Sequence, residues 1–228
     1  MSYTLITANR NYSSWSLRPW LLMKALDIPF TDRLEPFTKP DNYTDFRAFS
    51  PTGQVPLLID GTRQVWDSLG IALYLAERHP GVWPVDEAAR AFAQCAVAEM
   101  HGGFGALRGD CTMNVGVRVR PKPMSAALER NVARVRELFE EGLARFGGPW
   151  LAGPAFTVLD AFFAPVAWRV RTYGLDMGKG QAWVDHVIAH PAMQQWEGEA
   201  LAETWREASH EAELAEAGAI IADYRQPA

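Results

Sequence analysis

The segment Val55-Pro56-Leu57-Leu58-Ile59-Asp60-Gly61-Thr62-Arg63-Gln64-Val65-Trp66-Asp67-Ser68 admits few local structures. Two short runs, 57–60 and 63–66, flank Asp60-Gly61, and Asp-Gly between such runs is a strong hairpin signal. Two antiparallel strands are expected. Pro56 lacks an N–H and has a fixed φ, which a sheet tolerates only at a strand start or an edge. The backbone of Val55 is then free to pair with an extended ligand. A cis Val55–Pro56 peptide, costing only about 0.5–1 kcal/mol over trans, turns the chain to present it. Asp67 and Ser68 precede the helical pattern Leu69, Ala72, Leu73, Leu75, Ala76, so one of them is the N-cap, predicting a helix over 68–78. The free N–H groups and positive dipole end of that helix suit a carboxylate. Alone, these pieces also describe an ordinary hairpin beside a capped helix.

Upstream, Thr4-Leu5-Ile6-Thr7-Ala8 alternates and carries β-branched residues, predicting a first strand. After a loop over 9–14, Leu17, Trp20, Leu21, Lys24 and Ala25 recur at helical spacing, with Ser14 or Ser16 as N-cap and Pro19 in the first turn. Residues 30–34 read as a second strand, parallel to the first across a βαβ unit. The stretch 35–53 contains Pro36, Pro40 and Pro51 and predicts a loop with one irregular helical turn over 43–49. The order β-α-β-α-β-β-α is that of a thioredoxin-like α/β domain.

Pro80-Gly81-Val82-Trp83-Pro84 breaks the composition. This divides the chain into a thioredoxin-like domain over 1–79, a linker over 80–85 and an all-helical domain over 86–228. The first helical pattern, 86–109, contains Gly102, Gly103 and Gly105, which suggests close approach of another backbone or a ligand. Residues 112–123, with Arg118, Arg120 and Lys122, read as a basic loop. Ser125 caps a helix reaching Phe146. Thr157 and Asp160 form a capping box opening a helix so apolar that it must be buried. A last amphipathic helix runs from His190-Pro191 through Trp205, and the tail from Glu207 reads as helix or a mobile cover.

With 48% hydrophobic and 21% charged residues and a formal net charge of −5, the chain has the composition of a globular protein without general affinity for nucleic acid or anionic membranes. Met1-Ser2-Tyr3-Thr4-Leu5-Ile6 lacks the basic start and apolar core of a signal peptide, and no run approaches a membrane span, so a cytoplasmic address is expected. Cys95 and Cys111 lack C-x-x-C or His spacing; they indicate neither a metal site nor a disulfide and are expected to be packed thiols.

The Gln-Val-Pro and Asp-Ser spacing, the domain order and the buried Thr-x-x-Asp box together resemble the cytosolic glutathione S-transferases over nearly the whole chain. The resemblance implies a glutathione S-transferase fold with glutathione as co-substrate, held by Gln54, Val55 and Pro56 on its cysteinyl backbone and by Asp67 and Ser68 on its γ-glutamyl group. Lys39 is a candidate for the glycine carboxylate. It also implies a homodimer and a small hydrophobic electrophile as second substrate. The loop Asn11-Tyr12-Ser13-Ser14-Trp15-Ser16-Leu17-Arg18 is similar to the Ser-Ser-Cys-Ser-x-Arg signature of the zeta class, which includes maleylacetoacetate isomerases. Trp15 stands where that class has cysteine, which counts against cysteine-dependent isomerase chemistry.

A thiol with a pKa of about 8.5 is only a few per cent thiolate at neutral pH, and the thiolate is the nucleophile. A hydroxyl donor at a helix N-terminus supplies about 1.5–3 kcal/mol to a charged acceptor, and the dipole adds about 0.3–1 kcal/mol. Ser13 is the first candidate for that donor, Ser14 the second and Tyr12 a competitor. Arg18 either attracts an anionic substrate or packs structurally. Glu99 and His101 face the second-substrate cleft or a partner subunit, and Met100 and Met113 are candidates for its apolar wall. Two alternatives stay open: a non-catalytic protein of the same fold that binds or interacts, and a thiol peroxidase or reductase, which needs a cysteine near the first helix.

Overall fold

The computed structural model describes residues 3–39 and 41–227; Pro40 of the predicted loop, and Met1 and Ser2 of the N-terminal stretch, lie outside the described residues. Strands β1 (Tyr3–Thr7), β2 (Phe30–Leu34), β3 (Leu57–Asp60) and β4 (Arg63–Val65) form one sheet in the order β2-β1-β3-β4. β1 and β2 are parallel, with Tyr3 beside Phe30 and Thr7 beside Leu34, because α1 (Ser14–Ala25) carries the chain back between them. β3 runs antiparallel to both β1 and β4, placing Leu58 between Leu5 and Val65. The hairpin turns at Gly61, whose φ of 60° is open to glycine without a Cβ penalty. The irregular turn after Pro36 is the short helix α2 (Tyr43–Phe46), and α3 (Ser68–Ala76) closes the domain.

α1 is capped differently from the sequence expectation. Ser13, not Ser14 or Ser16, occupies the N-cap position, and its side chain makes no capping bond. Its hydroxyl turns to Ser16 Oγ, 2.7 Å away, which itself accepts the Ala8 N–H at 3.2 Å.

The second half is built around α7 (Val158–Tyr173), of which every residue but Arg171 is buried. The capping box starts it: Thr157 Oγ1 accepts the Leu159 N–H, and Asp160 Oδ2 accepts the Thr157 N–H at 2.9 Å. Asp160 Oδ1 also takes the Leu151 N–H at 3.0 Å and the Trp183 indole N–H at 2.9 Å, so one buried carboxylate fixes a loop and two helices. Around α7 lie α4 (Glu87–Gly102), α5 (Gly105–Asp110), α6 (Ala126–Phe146), α8 (Gln181–Ile188) and α9 (Pro191–Ala202). α1 packs on α7 across the junction of the two halves, where Trp20 meets Trp196 edge to face.

Three expectations for this half change. The pattern over 86–109 is two helices, because Phe104 turns the chain with a left-handed φ of 57°. A Cβ at Gly102 or Gly105 would meet nothing within 4 Å, whereas one at Gly103 would lie 2.6 Å from the Glu99 carbonyl oxygen, so of the three only Gly103 marks a close approach, and that to the end of its own helix. Residues 112–123 are not a plain basic loop but contain β5 (Val117–Pro121). β5 pairs antiparallel with β6 (Gly218–Asp223), and helix α10 (Ala208–Ala217) precedes β6, which resolves the tail into a helix and a strand. Val117 and Val119 point inward while Arg118 and Arg120 alternate with them, and a strand whose partner lies a hundred residues away leaves little local signal.

Candidate active site

A cleft of about 780 Å³ opens where the β1–α1 loop, the β3 edge, the start of α3 and the end of α4 converge. Tyr12, Ser13, Ser14, Lys39, Gln54, Val55, Pro56, Asp67 and Ser68 all line it. The Val55–Pro56 peptide is cis, and Ser50 Oγ holds this edge by donating to the Gln54 carbonyl at 2.7 Å. Gly53 permits the turn before it. Its φ is 67°, and a Cβ there would lie 2.6 Å from Tyr43 Cδ2.

At the other end, Asp67 is the N-cap of α3, with Oδ1 accepting the N–H groups of Leu69 at 2.9 Å and Gly70 at 3.4 Å. Its second oxygen lies 3.2 Å from His101 Nε2 on α4. The buried hydroxyl of Ser68 has no hydrogen-bond partner among the described residues. This is a first-turn hydroxyl beside a capping carboxylate at a helix dipole's positive end, an arrangement suited to both ends of an amino acid zwitterion. Lys39 is less free than its sequence position suggests, since Nζ is paired with Asp45 at 2.6 Å.

Three potential thiol activators reach the cleft from the β1–α1 loop, and their surroundings differ. The Tyr12 hydroxyl donates to Glu211 Oε1 at 2.7 Å, and burial together with that bond pushes its ionisation well above the ordinary tyrosine value. Ser14 is the first residue of α1. Ser13 sits at the N-cap with its hydroxyl in the Ala8–Ser16–Ser13 chain. Neither cysteine lines the cleft: Cys111 is buried, its thiol pushed up to about 11 chiefly by desolvation, and Cys95 is exposed on α4 rather than packed.

Other sequence candidates sort as follows. His101 faces the cleft and meets Trp15 edge to face, whereas Glu99 points away to a two-pronged pair with Arg134 of α6 at 2.8 and 3.0 Å. Met100 and Met113 lie in the core and do not line the cleft. Arg18 is 1% exposed and packed rather than ion-paired: its guanidinium lies 4.0 Å from the Trp15 ring centroid and 5.0 Å from that of Phe162. Desolvation first, and then the nearby charges of Arg169 and Arg108, together lower it to about 9.

Sequence reasoning missed Phe37, Trp66 and His210, all in the cleft lining. The imidazole of His210 enters from α10, far along the chain, and no local pattern around it marks a site.

The fold sets this cleft between a thioredoxin-like domain and a helical domain. The N-terminal domain model of glutathione S-transferases matches residues 12–78, and the C-terminal domain model matches residues 125–198. A zeta-class glutathione S-transferase of Euphorbia esula is 25% identical over 173 residues, 74% of this chain and 76% of the relative. A Burkholderia glutathione transferase homologue solved with bound glutathione superposes with a TM-score of 0.66 at 20% identity, covering 89% of this chain and 100% of its own. Isozyme E7 of Drosophila melanogaster gives the same TM-score and identity over 99% of both chains. The chain belongs to the glutathione S-transferase family and has that family's fold. Among the described residues no helix is long and apolar enough to cross a membrane.

Proposed function

We propose that the chain transfers glutathione to a small hydrophobic electrophile, with residues 1–79 holding the tripeptide and residues 86–228 shaping the second-substrate side, as a cytoplasmic homodimer. The observation that carries this reading is the convergence of Ser13, Val55–Pro56 and Asp67–Ser68 on one cleft. Val55 offers its backbone to the cysteinyl unit, with Gln54 beside it; Asp67 takes the γ-glutamyl ammonium and Ser68 its carboxylate. Lys39, paired with Asp45, is left a secondary role at the glycine end.

Ser13 then acts on the sulfur. Rotation about its Cβ–Oγ bond turns the hydroxyl from Ser16 to the thiolate, while Ser16 donates to Ser13 Oγ in its place and keeps the Ala8 N–H as its own donor. A chain of donors ending on an anion strengthens along its length. Tyr12 is the poorer activator, because its proton is already committed to Glu211. Trp15 at the cysteine position of the zeta signature favours conjugation over cysteine-assisted isomerisation.

The test is Ser13→Ala beside Ser14→Ala, reading the pKa of bound glutathione by thiolate absorbance and the rate with an activated aryl halide. The Ser13 variant is expected to lose about 10- to 150-fold in rate, the worth of a hydrogen bond to a charged acceptor, and to return the thiol toward its free value. An unchanged thiol pKa and rate in Ser13→Ala overturn the assignment. Wild-type protein that fails to bind millimolar glutathione overturns the whole reading.

A further inference from the structure

We propose that His210, presented by the C-terminal helix and oriented by Glu207, is the base that takes the thiol proton in the cleft. This rests on the reading of the cleft as a glutathione site. The imidazole is clamped between two rings of the thioredoxin-like domain. It stacks on Tyr12 with centroids 4.8 Å apart and planes 21° apart, and on Phe37 at 5.3 Å and 15°. Tyr12 is the residue immediately before Ser13, and all three line the same cleft.

The tautomer follows from what holds the ring. His210 Nδ1 lies 2.6 Å from Glu207 Oε2. Glu207 is 2% exposed and also accepts the Ser209 and His210 N–H groups at 3.0 and 2.9 Å. Burial works to raise that carboxyl, but its hydrogen bonds from Ser209 and His210 outweigh burial and bring it to about 2. A group that stays a carboxylate can only accept, so Nδ1 carries the proton, and in the neutral imidazole the lone pair is on Nε2. No hydrogen bond among the described residues engages Nε2. Few other charges bear on the ring. Glu211, one residue further on α10, is neutralised by Arg225 at 2.6 Å and bonded to Tyr12; Arg206 donates to backbone carbonyls; Lys39 and Asp45 pair with each other. The arrangement is a base with its orienting acid, the nucleophile being supplied by the ligand.

The step balances within these groups. The glutathione S–H bond breaks as an Nε2–H bond forms, leaving a thiolate that takes the Ser13 hydroxyl and an imidazolium opposite the Glu207 carboxylate. When the thiolate displaces halide from an aryl halide, the S–C bond forms, the halide leaves with its electron pair, and the imidazolium proton passes to water.

His210→Phe keeps the stack and removes both nitrogens, His210→Gln keeps a polar side chain without a base, and Glu207→Gln keeps the helix cap in place. With glutathione and 1-chloro-2,4-dinitrobenzene, the His210 variants are expected to lose about 100-fold in kcat/KM at neutral pH, the low end of general-base contributions, with glutathione Kd by calorimetry within twofold of wild type. Added free imidazole should restore part of the rate. In Glu207→Gln, where Nδ1 is no longer held by a carboxylate, kcat should fall while the KM for glutathione stays within twofold of wild type. Wild-type kcat/KM and an unshifted pH–rate profile in His210→Phe and His210→Gln overturn the proposal while leaving the glutathione site intact. A 100-fold loss that comes with lost glutathione affinity and no imidazole rescue also overturns it, since it makes His210 structural. A wild-type protein that binds no glutathione removes both readings together.

Discussion

The Glu203 carboxylate, just past the end of α9, accepts the backbone N–H groups of Arg10 and Asn11 at 2.5 and 3.2 Å, from residues 193 and 192 positions earlier in the chain. Asn11 returns the contact, its side-chain amide donating to Glu203 at 3.0 Å and to the Ala200 carbonyl at 2.6 Å. The loop that carries Tyr12 and Ser13 is therefore tied to the helical half by its own backbone. Removing the acid in Glu203→Ala leaves two buried N–H groups unpaired, each costing about 1–3 kcal/mol. A loss of about 2–4 kcal/mol in denaturant melts, with a larger fall in conjugation than in glutathione affinity, is the expected outcome.

Ser16 offers a subtler handle on the same loop. It touches Ser13 and Ala8 but does not line the cleft. Ser16→Ala should raise the pKa of the bound thiol by less than Ser13→Ala does, with a loss of about 3- to 10-fold in rate corresponding to one neutral hydrogen bond. Thiolate absorbance at a series of pH values checks it.

Asp67 serves as helix cap and as a wall of the cleft. Asp67→Ala should cost about 1 kcal/mol of stability for the lost cap and raise KM for glutathione with little change in kcat, read from initial rates over a range of glutathione concentrations. A selective fall in kcat would move Asp67 out of the binding role.

Much of this arrangement is legible in the sequence because it is local. Asp60-Gly61, Pro56 and the Thr157–Asp160 box each state their conformation within a few residues, and the β-α-β-α-β-β-α order follows from the alternation and helical spacing of residues 4–78. What escapes is long-range. Val117 to Pro121 form a strand only because residues 218–223 come back to pair with them, and His210 reaches the cleft only because that ribbon returns the tail. That Ser13 reaches the cleft is legible in the sequence, but its hydroxyl chain is not, since Ser16 reads equally as a helix cap.

Asp160 gives a pH signature. Desolvation raises it to about 6, above the ordinary aspartate value near 3.9, while its hydrogen bonds act in the opposite direction. The folded state then holds a proton that the unfolded state has released, so stability from this group is full below about pH 4 and is lost as pH rises through about 6. Glu203 is shifted in the same direction by its burial, and Glu207 and Glu211 in the other. The difference between wild type and Asp160→Asn isolates the one group: denaturant midpoints should converge on raising the pH from 4 to 6, with the variant less stable throughout because its amide cannot accept three N–H donors.

Gly218 begins β6 where the ribbon is tightest. A Cβ there would overlap the Arg120 carbonyl oxygen and lie 2.9 Å from Pro121 Cα. Gly218→Ala is expected to open the β5–β6 pairing without unfolding the helical core, seen as faster amide exchange over 117–121 and 218–223 and earlier proteolysis in the tail.

The order of residues along the chain sets the order in which the cleft is assembled during synthesis. Its floor, from Ser13 to Ser68, leaves the ribosome before most of the helical half has been made, and the chain must then grow past residue 200 before Glu203 can fasten the Arg10–Asn11 backbone and His210 can slide between Tyr12 and Phe37. A nascent thioredoxin-like domain thus waits with the cleft uncovered on one side. The side chains that complete it arrive among the last to be translated in this sequence.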